Sequence, residues 1–274
     1  LNNLEFDHAD IYADLDAIKW QLHQLLRTVP GAGRIISNGA DANLDATLEQ
    51  GCWTPVERFG RDGKADWQAA FVDQGQKRIR ITSPAGDTAE TRWTLAGSHN
   101  LENVVAAVAA AHHAGVAVDV AVRALADFTG VKRRLERTAT VADIAIYDDF
   151  AHHPTAIERT LDGLRRHTPG RRLVVALEPR SNTMRLGHHN ETLAASLHRA
   201  DRVFLYAPED MASSLDIALE PLGERLTMAT DYDELVQTMA SEVEPGDIVV
   251  FMSNGGFGGA RQTFTAVLKR LLSE

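Results

Sequence analysis

A cluster of ionisable side chains follows one apolar segment in the stretch "YDDFAHHPTAIE", residues 147–158. Asp148 and Asp149 end the apolar run "IAIY", and His152 and His153 precede a helical pattern that begins at Pro154. Carboxylates accept hydrogen bonds from hydroxyl groups, and histidines exchange protons near neutral pH. Aspartates in turns also commonly cap the next helix, so this turn alone does not define a site.

Two later turns carry a similar concentration of polar groups. "EPRSNTMRLG", residues 178–187, contains Arg180, whose guanidinium group suits carboxylate or phosphate oxygens. "SNGGFGG", residues 253–259, offers bare backbone N–H groups of the kind that bind anions at a helix start. A dinucleotide fingerprint would follow the first strand of the unit rather than the last, so this loop is a weak dinucleotide signal.

The segments around these turns predict a parallel sheet. After residue 130, nearly continuous apolar stretches alternate with helical patterns, which indicates strands covered by helices on both faces. The predicted strands are "VADIAIYDD", "RRLVVALEP", "DRVFLYAP", "RLTMAT" and "GDIVVFMSN". Because ligands in such sheets bind beyond the carboxyl ends of the strands, the three polar turns are expected to converge on one edge.

The pattern of predicted helices and strands is different before residue 130. A helix over "ADLDAIKWQLHQLLRTV" is followed by short strand candidates, including "DWQAAFVD", "KRIRITSP" and "TRWTLAG", and then by two Ala- and Val-rich helices. The short strands separated by turns predict a sheet with antiparallel pieces. This change in the pattern of predicted elements predicts two domains, residues 1–130 and 131–274.

Composition narrows the classes of partner. The chain has 274 residues, 44% hydrophobic and 24% charged, with a net charge of -10. Such an acidic chain is a poor candidate for nucleic acid, although the basic run "VKRRLER" could bind one phosphorylated small molecule. The single cysteine argues against a disulfide framework, and no apolar run is long enough for a membrane span. A cytoplasmic protein without membrane contact is expected; its oligomeric state stays open.

Four segments together resemble one family. "NLEFDHADIY", "AGSHNLENVVAAVAAA", "VKRRLE" and "YDDFAHHPTAIE" resemble, in order and spacing, the motifs of the Mur ligases. The resemblance implies an α/β fold: the distal part of a central ATPase domain, followed by a Rossmann-like C-terminal domain with a mostly parallel sheet. It also implies an ATP- and Mg²⁺-dependent ligase that forms an amide bond through an acyl phosphate.

The branch of the family depends on two stretches. "LEPRSNTM" and "SNGGFGG" resemble the members that join L-alanyl-γ-D-glutamyl-meso-diaminopimelate to UDP-N-acetylmuramate in cell-wall recycling. Two alternatives stay open: a ligase that attaches L-alanine instead, and a binding module without catalysis. A nicotinamide-dependent dehydrogenase is disfavoured, because "YDDFAHHP" stands where its glycine fingerprint would be.

The resemblance also implies roles for individual residues. His8 matches a ligand of a magnesium ion, Arg134 an arginine that reaches the ATP phosphates, and Asp149 an acceptor for ribose hydroxyls. His152 and His153 are the catalytic candidates, bordering the gap between nucleotide and peptide, while Asp148 is expected to be structural. The adenine candidate is Asn103, with His99 and Asn100 shaping its turn, and the peptide-binding candidates are Arg180, Ser181, Asn182, Asn254, Gly255 and Gly256.

One family motif has no match in this sequence. The P-loop G-x-x-G-K-[ST], which holds the ATP phosphates, is absent. We therefore expect this polypeptide to have no ligase activity by itself. Residues 1–130 are expected to be less stable than the rest and more sensitive to limited proteolysis. A hinge is expected near "FTGVKRR", and Lys19 lies in the helix where some members carry a carbamylated lysine.

Overall fold

The computed structural model describes residues 1–61, 63–73 and 75–272. The chain forms two compact units, unit 1 from Leu1 to Thr129 and unit 2 from Gly130 to Glu274. Within the described residues, no helix combines the length and the apolar character needed to cross a membrane.

Unit 1 is built on a mixed sheet of five strands in the order β1-β2-β3-β4-β5. The strands β1, β2 and β3 are parallel, and β4 and β5 continue the sheet antiparallel, as the short strand candidates predicted. Its elements are α1 Leu15–Leu26, β1 Ile35–Asn38, α2 Ala42–Glu49, β2 Val56–Gly60, β3 Trp67–Phe71, β4 Arg78–Thr82, β5 Thr88–Arg92, α3 Ser98–His113 and α4 Val118–Ala124.

The helix α3 covers this sheet with one apolar stripe. Its buried residues Leu101, Val104, Val105 and Val108 recur at helical spacing and pack in one cluster with strand residues such as Trp67. Trp67 is only 1% exposed, and its indole Nε1 donates a hydrogen bond to Glu57 Oε2 at 2.7 Å. The packing fixes the start of α3, where the predicted adenine-binding residues stand.

Unit 2 contains a six-stranded sheet in the order β10-β9-β8-β11-β7-β6. All neighbouring pairs are parallel except β6 and β7. Its elements are β6 Glu136–Val141, β7 Ile144–Asp149, α5 Pro154–His167, β8 Leu173–Leu177, α6 Asn182–Arg185, α7 Asn190–Ser196, β9 Arg202–Tyr206, α8 Ala212–Leu219, β10 Leu226–Ala229, α9 Tyr232–Glu242, β11 Ile248–Met252 and α10 Ala260–Leu271.

The sheet of unit 2 is buried on both faces. Every residue of β8 and β11 is buried, and successive residues contribute to two different apolar clusters. Val175 and Val250 pack with α5, α7 and α8, whereas Val174 and Phe251 pack with α9 and α10. Because side chains alternate along a strand, an unbroken apolar run is what two covered faces require. The predicted α/β fold is thereby confirmed.

Two strand predictions were wrong in detail. "VADIAIYDD" is not one strand, because Ala142 and Asp143 form a tight turn with φ of 45° and 65° between β6 and β7. Two consecutive positive φ values match the twist of a hairpin, so an antiparallel edge strand precedes the parallel ones. The strand predicted at "TRWTLAG" lies earlier, at Thr88–Arg92. Trp93 follows the strand and is buried in the apolar cluster of unit 1.

Candidate functional site

The three polar turns of unit 2 follow three adjacent strands of the sheet, β7, β11 and β8. In the register of the sheet, Met252 of β11 lies opposite Asp149 of β7 on one side and Leu177 of β8 on the other. The amide of Ser253 donates to the Asp149 carbonyl at 3.1 Å, and the amide of Glu178 donates to the Met252 carbonyl at 3.0 Å. The prediction that these turns share one edge of the sheet is confirmed.

The helices that follow the neighbouring strands β7 and β11 pack on opposite faces of the sheet. The helix α5, which follows β7, contributes to one apolar cluster, and α10, which follows β11, contributes to the other. Such a divergence opens a crevice at the carboxyl ends of the strands, where α/β proteins bind ligands. The sheet topology of unit 2 therefore places a candidate site around the loop of residues 253–259.

Asp149 is a buried carboxylate held by two backbone amides. Its Oδ1 accepts the Ala151 N–H at 2.7 Å and its Oδ2 accepts the Leu135 N–H at 2.6 Å. The residue is 4% exposed, and burial raises the pKa of its carboxyl group. Both oxygens are thus engaged by the protein, although each keeps a second lone pair. The ribose-binding role of Asp149 stays a prediction, and it requires a hydroxyl group to reach a nearly covered carboxylate.

Two neighbouring arginines both lie against the Phe150 ring but differ in their hydrogen bonds. The Arg133 guanidinium donates to the Ser253 carbonyl at 2.7 Å and also to the Gly255 carbonyl, which ties residues 131–135 to the glycine loop. Arg134 is exposed, and its guanidinium carbon lies 4.9 Å from the centre of the Phe150 ring. This cation–π contact orients the arginine without using its N–H donors. Arg134 can therefore offer a guanidinium fork to an anion, as its predicted phosphate-binding role requires.

Glu178 connects three segments of the edge. Its Oε1 accepts the Tyr232 hydroxyl at 2.6 Å, and its Oε2 accepts the Ser253 hydroxyl at 2.5 Å. Ser253 Oγ in turn accepts the Gly255 N–H at 2.8 Å. Burial, and next the hydrogen bond to Glu178, raise the pKa of Tyr232, whose ring stacks on Tyr206 with centroids 3.9 Å apart. This network fixes the backbone of the glycine loop, because its donors and acceptors are paired in a region of low solvent access.

Arg180 lies across the glycine loop. A Cβ atom at Gly255 would stand 2.5 Å from both Cδ and Nη1 of Arg180, so only glycine lets the arginine take this position. A Cβ atom at Gly256 would meet nothing within 4 Å. Next to them, Asn254 Oδ1 is buried and has no hydrogen-bond partner in the described part of the chain. A buried acceptor without a partner is costly, so a ligand that donates a hydrogen bond there would recover that cost.

The remaining peptide-binding candidates lie at the start of α6. Ser181 caps this short helix, with its Oγ accepting the Met184 N–H at 3.3 Å, and Asn182 is its first residue. The structure thus brings the candidates of the two loops together at adjacent strand ends. Their binding roles stay predictions.

The two catalytic candidates have local structural contacts. His153 caps α5, because its Nδ1 accepts the Thr155 N–H at 3.3 Å, and its ring meets that of His189 with centroids 4.3 Å apart. His152 Nδ1 lies 2.9 Å from the Phe150 carbonyl, which makes it a donor. These contacts account for both histidines on structural grounds, and a catalytic role stays a prediction.

The adenine candidates of unit 1 gather at the start of α3. Asn100 donates to the Ala96 carbonyl at 2.7 Å, and Asn103 Oδ1 accepts the side-chain amide of Asn2 at 2.8 Å. Gly97 has a φ of 93°, and a Cβ atom there would stand 2.5 Å from the His99 ring. The glycine therefore allows the imidazole to fold back over the helix start, while Asn103 is exposed on the first turns of α3.

The magnesium candidate stands apart from any cluster of ligands. His8 is exposed with a φ of 56°, and Lys19 pairs with Asp16 at 3.4 Å. Over residues 1–61, 63–73 and 75–272, no group of three or more His, Cys, Asp or Glu side chains could hold a metal ion. The described residues thus do not form a magnesium site by themselves.

Several residues at this edge were not singled out by sequence reasoning. Glu178 and Ser253 each follow a fully buried strand, and a polar residue directly after such a strand is a usable signal. The sequence pattern pointed to Arg134 and not to Arg133, since two adjacent arginines cannot be distinguished by residue type. Tyr232 gave no signal, because it begins an ordinary amphipathic helix.

Both halves of the chain match descriptions of one family. "Mur ligase middle domain" matches residues 1–111, and "Mur ligase, glutamate ligase domain" matches residues 133–255. The chain therefore belongs to the Mur ligase family of ATP-dependent peptide ligases.

Two of the relatives are named for a substrate of three linked residues and are 44% and 40% identical to this chain. The UDP-N-acetylmuramate–L-alanyl-γ-D-glutamyl-meso-2,6-diaminoheptandioate ligase of Escherichia coli (strain K12) is 44% identical over 263 residues, 96% of this chain and 57% of the relative. The crystal structure of a murein peptide ligase from Psychrobacter arcticus 273-4 matches with a TM-score of 0.74 and 39% identity, covering 98% of this chain and 57% of that one.

A second branch is more distant. The UDP-N-acetylmuramate–L-alanine ligase of Solibacter usitatus (strain Ellin6076) is 32% identical over 286 residues, covering 100% of this chain and 59% of the relative. The chain thus spans a little over half the length of the relatives that it matches.

Proposed function

We propose that this chain is the ATP-binding and peptide-binding part of a ligase that joins L-alanyl-γ-D-glutamyl-meso-diaminopimelate to UDP-N-acetylmuramate in cell-wall recycling. The observation that carries this proposal is the 44% identity over 96% of the chain to a relative named for that reaction. The relative named for L-alanine is 32% identical. ATP is the proposed energy source, and the muramyl carboxylate is activated as an acyl phosphate before the peptide amine attacks it.

The geometry of unit 2 supports a role in holding the peptide. Arg180 lies on the backbone of Gly255, where its guanidinium can meet a carboxylate of the incoming peptide. Asn254 Oδ1 is a buried acceptor with no partner in the described part of the chain, and a peptide N–H or ammonium group would satisfy it. A tripeptide with several carboxylates and amides matches this combination of donor and acceptor better than a single small amino acid.

Three residues are the proposed contacts to the nucleotide. Arg134 is the proposed contact to the ATP phosphates, because it is exposed, oriented by Phe150 and has no ion pair within the described residues. Asn103 is the proposed adenine contact, and Asp149 the proposed ribose contact. Magnesium would need ligands beyond His8, such as phosphate oxygens and water, since it prefers oxygen donors in octahedral geometry.

The test uses a longer polypeptide that joins the upstream part of the Escherichia coli relative to residues 1–274. ATP-dependent phosphate release is measured with UDP-N-acetylmuramate and either the tripeptide or L-alanine. Release with the tripeptide alone supports the proposal, and release with L-alanine alone assigns the chain to the alternative branch. Binding of nucleotide or peptide without release for either acceptor would favour a binding module and overturn the ligase proposal.

A matched pair of variants tests the peptide contact. Arg180→Gln should raise the KM for the tripeptide about tenfold or more, because a hydrogen bond to a charged group contributes about 1.5–3 kcal/mol. Arg185→Gln is the control, since this arginine lies on the same segment but pairs with Asp210 at 2.9 Å. An equal rise in KM for both variants would mean that general charge, and not the position of Arg180, guides the peptide.

A further inference from the structure

A cleft of about 240 Å³ opens in unit 2 beside the glycine loop, and it is lined by several residues to which no role has been assigned. Phe251 and Phe257 line it, and both belong to the apolar cluster that packs with α9 and α10. The cleft therefore lies on the α10 side of the sheet. Its polar lining comes from Lys132, Arg133, Asp148, Arg261 and Gln262.

The lining carries an excess of positive charge. Three cations, Lys132, Arg133 and Arg261, stand against the single carboxylate of Asp148, which leaves a formal charge of +2 (3 − 1). The chain as a whole has a net charge of -10, so the cleft is a positively charged region of an acidic protein. A concave site of one sign concentrates ligands of the other sign, here anions.

Much of the donor capacity of this cleft is unused. Arg261 is 21% exposed and meets Asp148 at 3.4 Å, longer than a direct charge-assisted hydrogen bond, and its guanidinium donates no hydrogen bond to a described residue. Lys132 forms no ion pair, and the Gln262 side chain no hydrogen bond, with the described part of the chain. Arg133, by contrast, already donates hydrogen bonds to the Ser253 and Gly255 carbonyls.

The backbone adds to this arrangement. Arg261 and Gln262 lie in the first turn of the 12-residue helix α10, where the helix dipole favours negative charge. Gly256 also lines the cleft, and the position of its missing Cβ atom is open space. A partly buried arginine, a lysine, an amide and a helix start, all facing one cavity, form a complete set of donors for an oxyanion.

We propose that this cleft binds an oxyanion group, a carboxylate or a phosphate, through Arg261, Lys132 and Gln262. The group can come from a free anion or from one end of a larger ligand. Gly255 and Gly256, two of the peptide-binding candidates, line the same cleft, but the three proposed donors have no role in the proposed ligase reaction. Arg133 and Asp148 hold the walls of the cleft, because Arg133 is bonded to the loop carbonyls and Asp148 lies 3.7 Å from its Nε.

The test is an NMR titration of the ¹⁵N-labelled chain with sodium phosphate, and separately with sodium succinate, against sodium chloride at equal ionic strength. We expect saturable shifts at residues 255–262 with at least one of the two anions. Arg261→Gln should weaken this binding about tenfold or more, since it removes charge-assisted hydrogen bonds. Arg270→Gln is the matched control, an exposed arginine on the same helix but outside the cleft.

The outcomes separate the sources of the anion. Phosphate binding alone indicates a phosphorylated ligand, and succinate binding alone a carboxylate. Shifts no larger than with chloride, or equal weakening by Arg261→Gln and Arg270→Gln, would overturn the proposal. If Arg261→Gln fails to fold, Lys132→Gln answers the same question, because Lys132 is exposed and its loss removes one of the proposed donors.

Discussion

The replacement of Asp149 by Asn tests whether this carboxylate organises the edge of the sheet. Asp149 accepts the N–H groups of Leu135 and Ala151 with its two oxygens, and it is 4% exposed. An asparagine keeps one acceptor but turns its NH₂ group towards the other backbone N–H. That buried donor then loses its partner, which costs about 1–3 kcal/mol.

The removal of a buried charge offsets part of this loss of stability. Burial raises the pKa of Asp149, so the ionised carboxylate is itself unfavourable in the folded state, and asparagine removes that charge. The free energy of unfolding should therefore fall by about 1–3 kcal/mol rather than by more. The assay is urea unfolding of the chain at pH 7, followed by far-UV circular dichroism, which reports on the helices and strands of both units.

Asp148→Asn is the control for this measurement. Asp148 is the adjacent residue and has the same side chain, but it meets Arg133 and Arg261 only as ion pairs at 3.7 and 3.4 Å. Its replacement should cost less than that of Asp149, because neither ion pair is as short as a charge-assisted hydrogen bond. An equal or larger loss for Asp148→Asn would refute the assignment of the organising role to Asp149.

The remaining predictions concern pH and two glycines. Because the folded-state pKa of Asp149 is raised above the ordinary value of 3.8, its contribution to stability is fully present below that value and is lost as the pH rises through the folded pKa. The stability advantage of the wild type over Asp149→Asn in urea unfolding should thus shrink from about pH 4 upward; growth of this advantage would contradict the raised pKa. Gly255→Ala should displace Arg180 and raise the tripeptide KM of the longer polypeptide about tenfold, whereas Gly256→Ala should change it little; a similar rise in both would contradict the role of the Arg180 position. Gly258→Ala should lower the free energy of unfolding by about 2–4 kcal/mol, because its φ is +54° and the new Cβ would stand 2.5 Å from the Tyr232 ring; thermal unfolding with a loss below about 1 kcal/mol would show that the ring moves aside freely.

Sequence reasoning succeeded where the signal was periodic. The unbroken apolar runs of β8 and β11 predicted a sheet covered on both faces, and that sheet is present. It failed where the signal was a local turn, as at Ala142 and Asp143, because alanine rarely adopts a positive φ and a single aspartate is only a weak turn signal. The short helices α2, α6 and α8 were also missed, since segments of four to eight residues show little periodicity.

The candidate site was predicted in its location and only partly in its composition. Polar residues after buried strands marked the three turns, but the partners that hold them come from distant positions. Arg133 reaches carbonyls more than a hundred residues away, and Tyr232 meets Glu178 across 54 residues. Contacts of this kind depend on strand order, which local sequence does not encode.

Asp148 and Asp149 show which properties of a residue follow from its neighbours in the chain and which depend on the fold. The apolar run and the following helical pattern determined that two carboxylates stand at a strand end. Successive side chains on a strand point to opposite faces, so the two had to differ in environment. Which one is buried was decided by the sheet: the backbone of residues 133–135 brings the Leu135 N–H to Asp149 and leaves Asp148 in the cationic cleft. The pairing of segments far apart in the chain, and not the identity of the residue, gave each aspartate its chemistry.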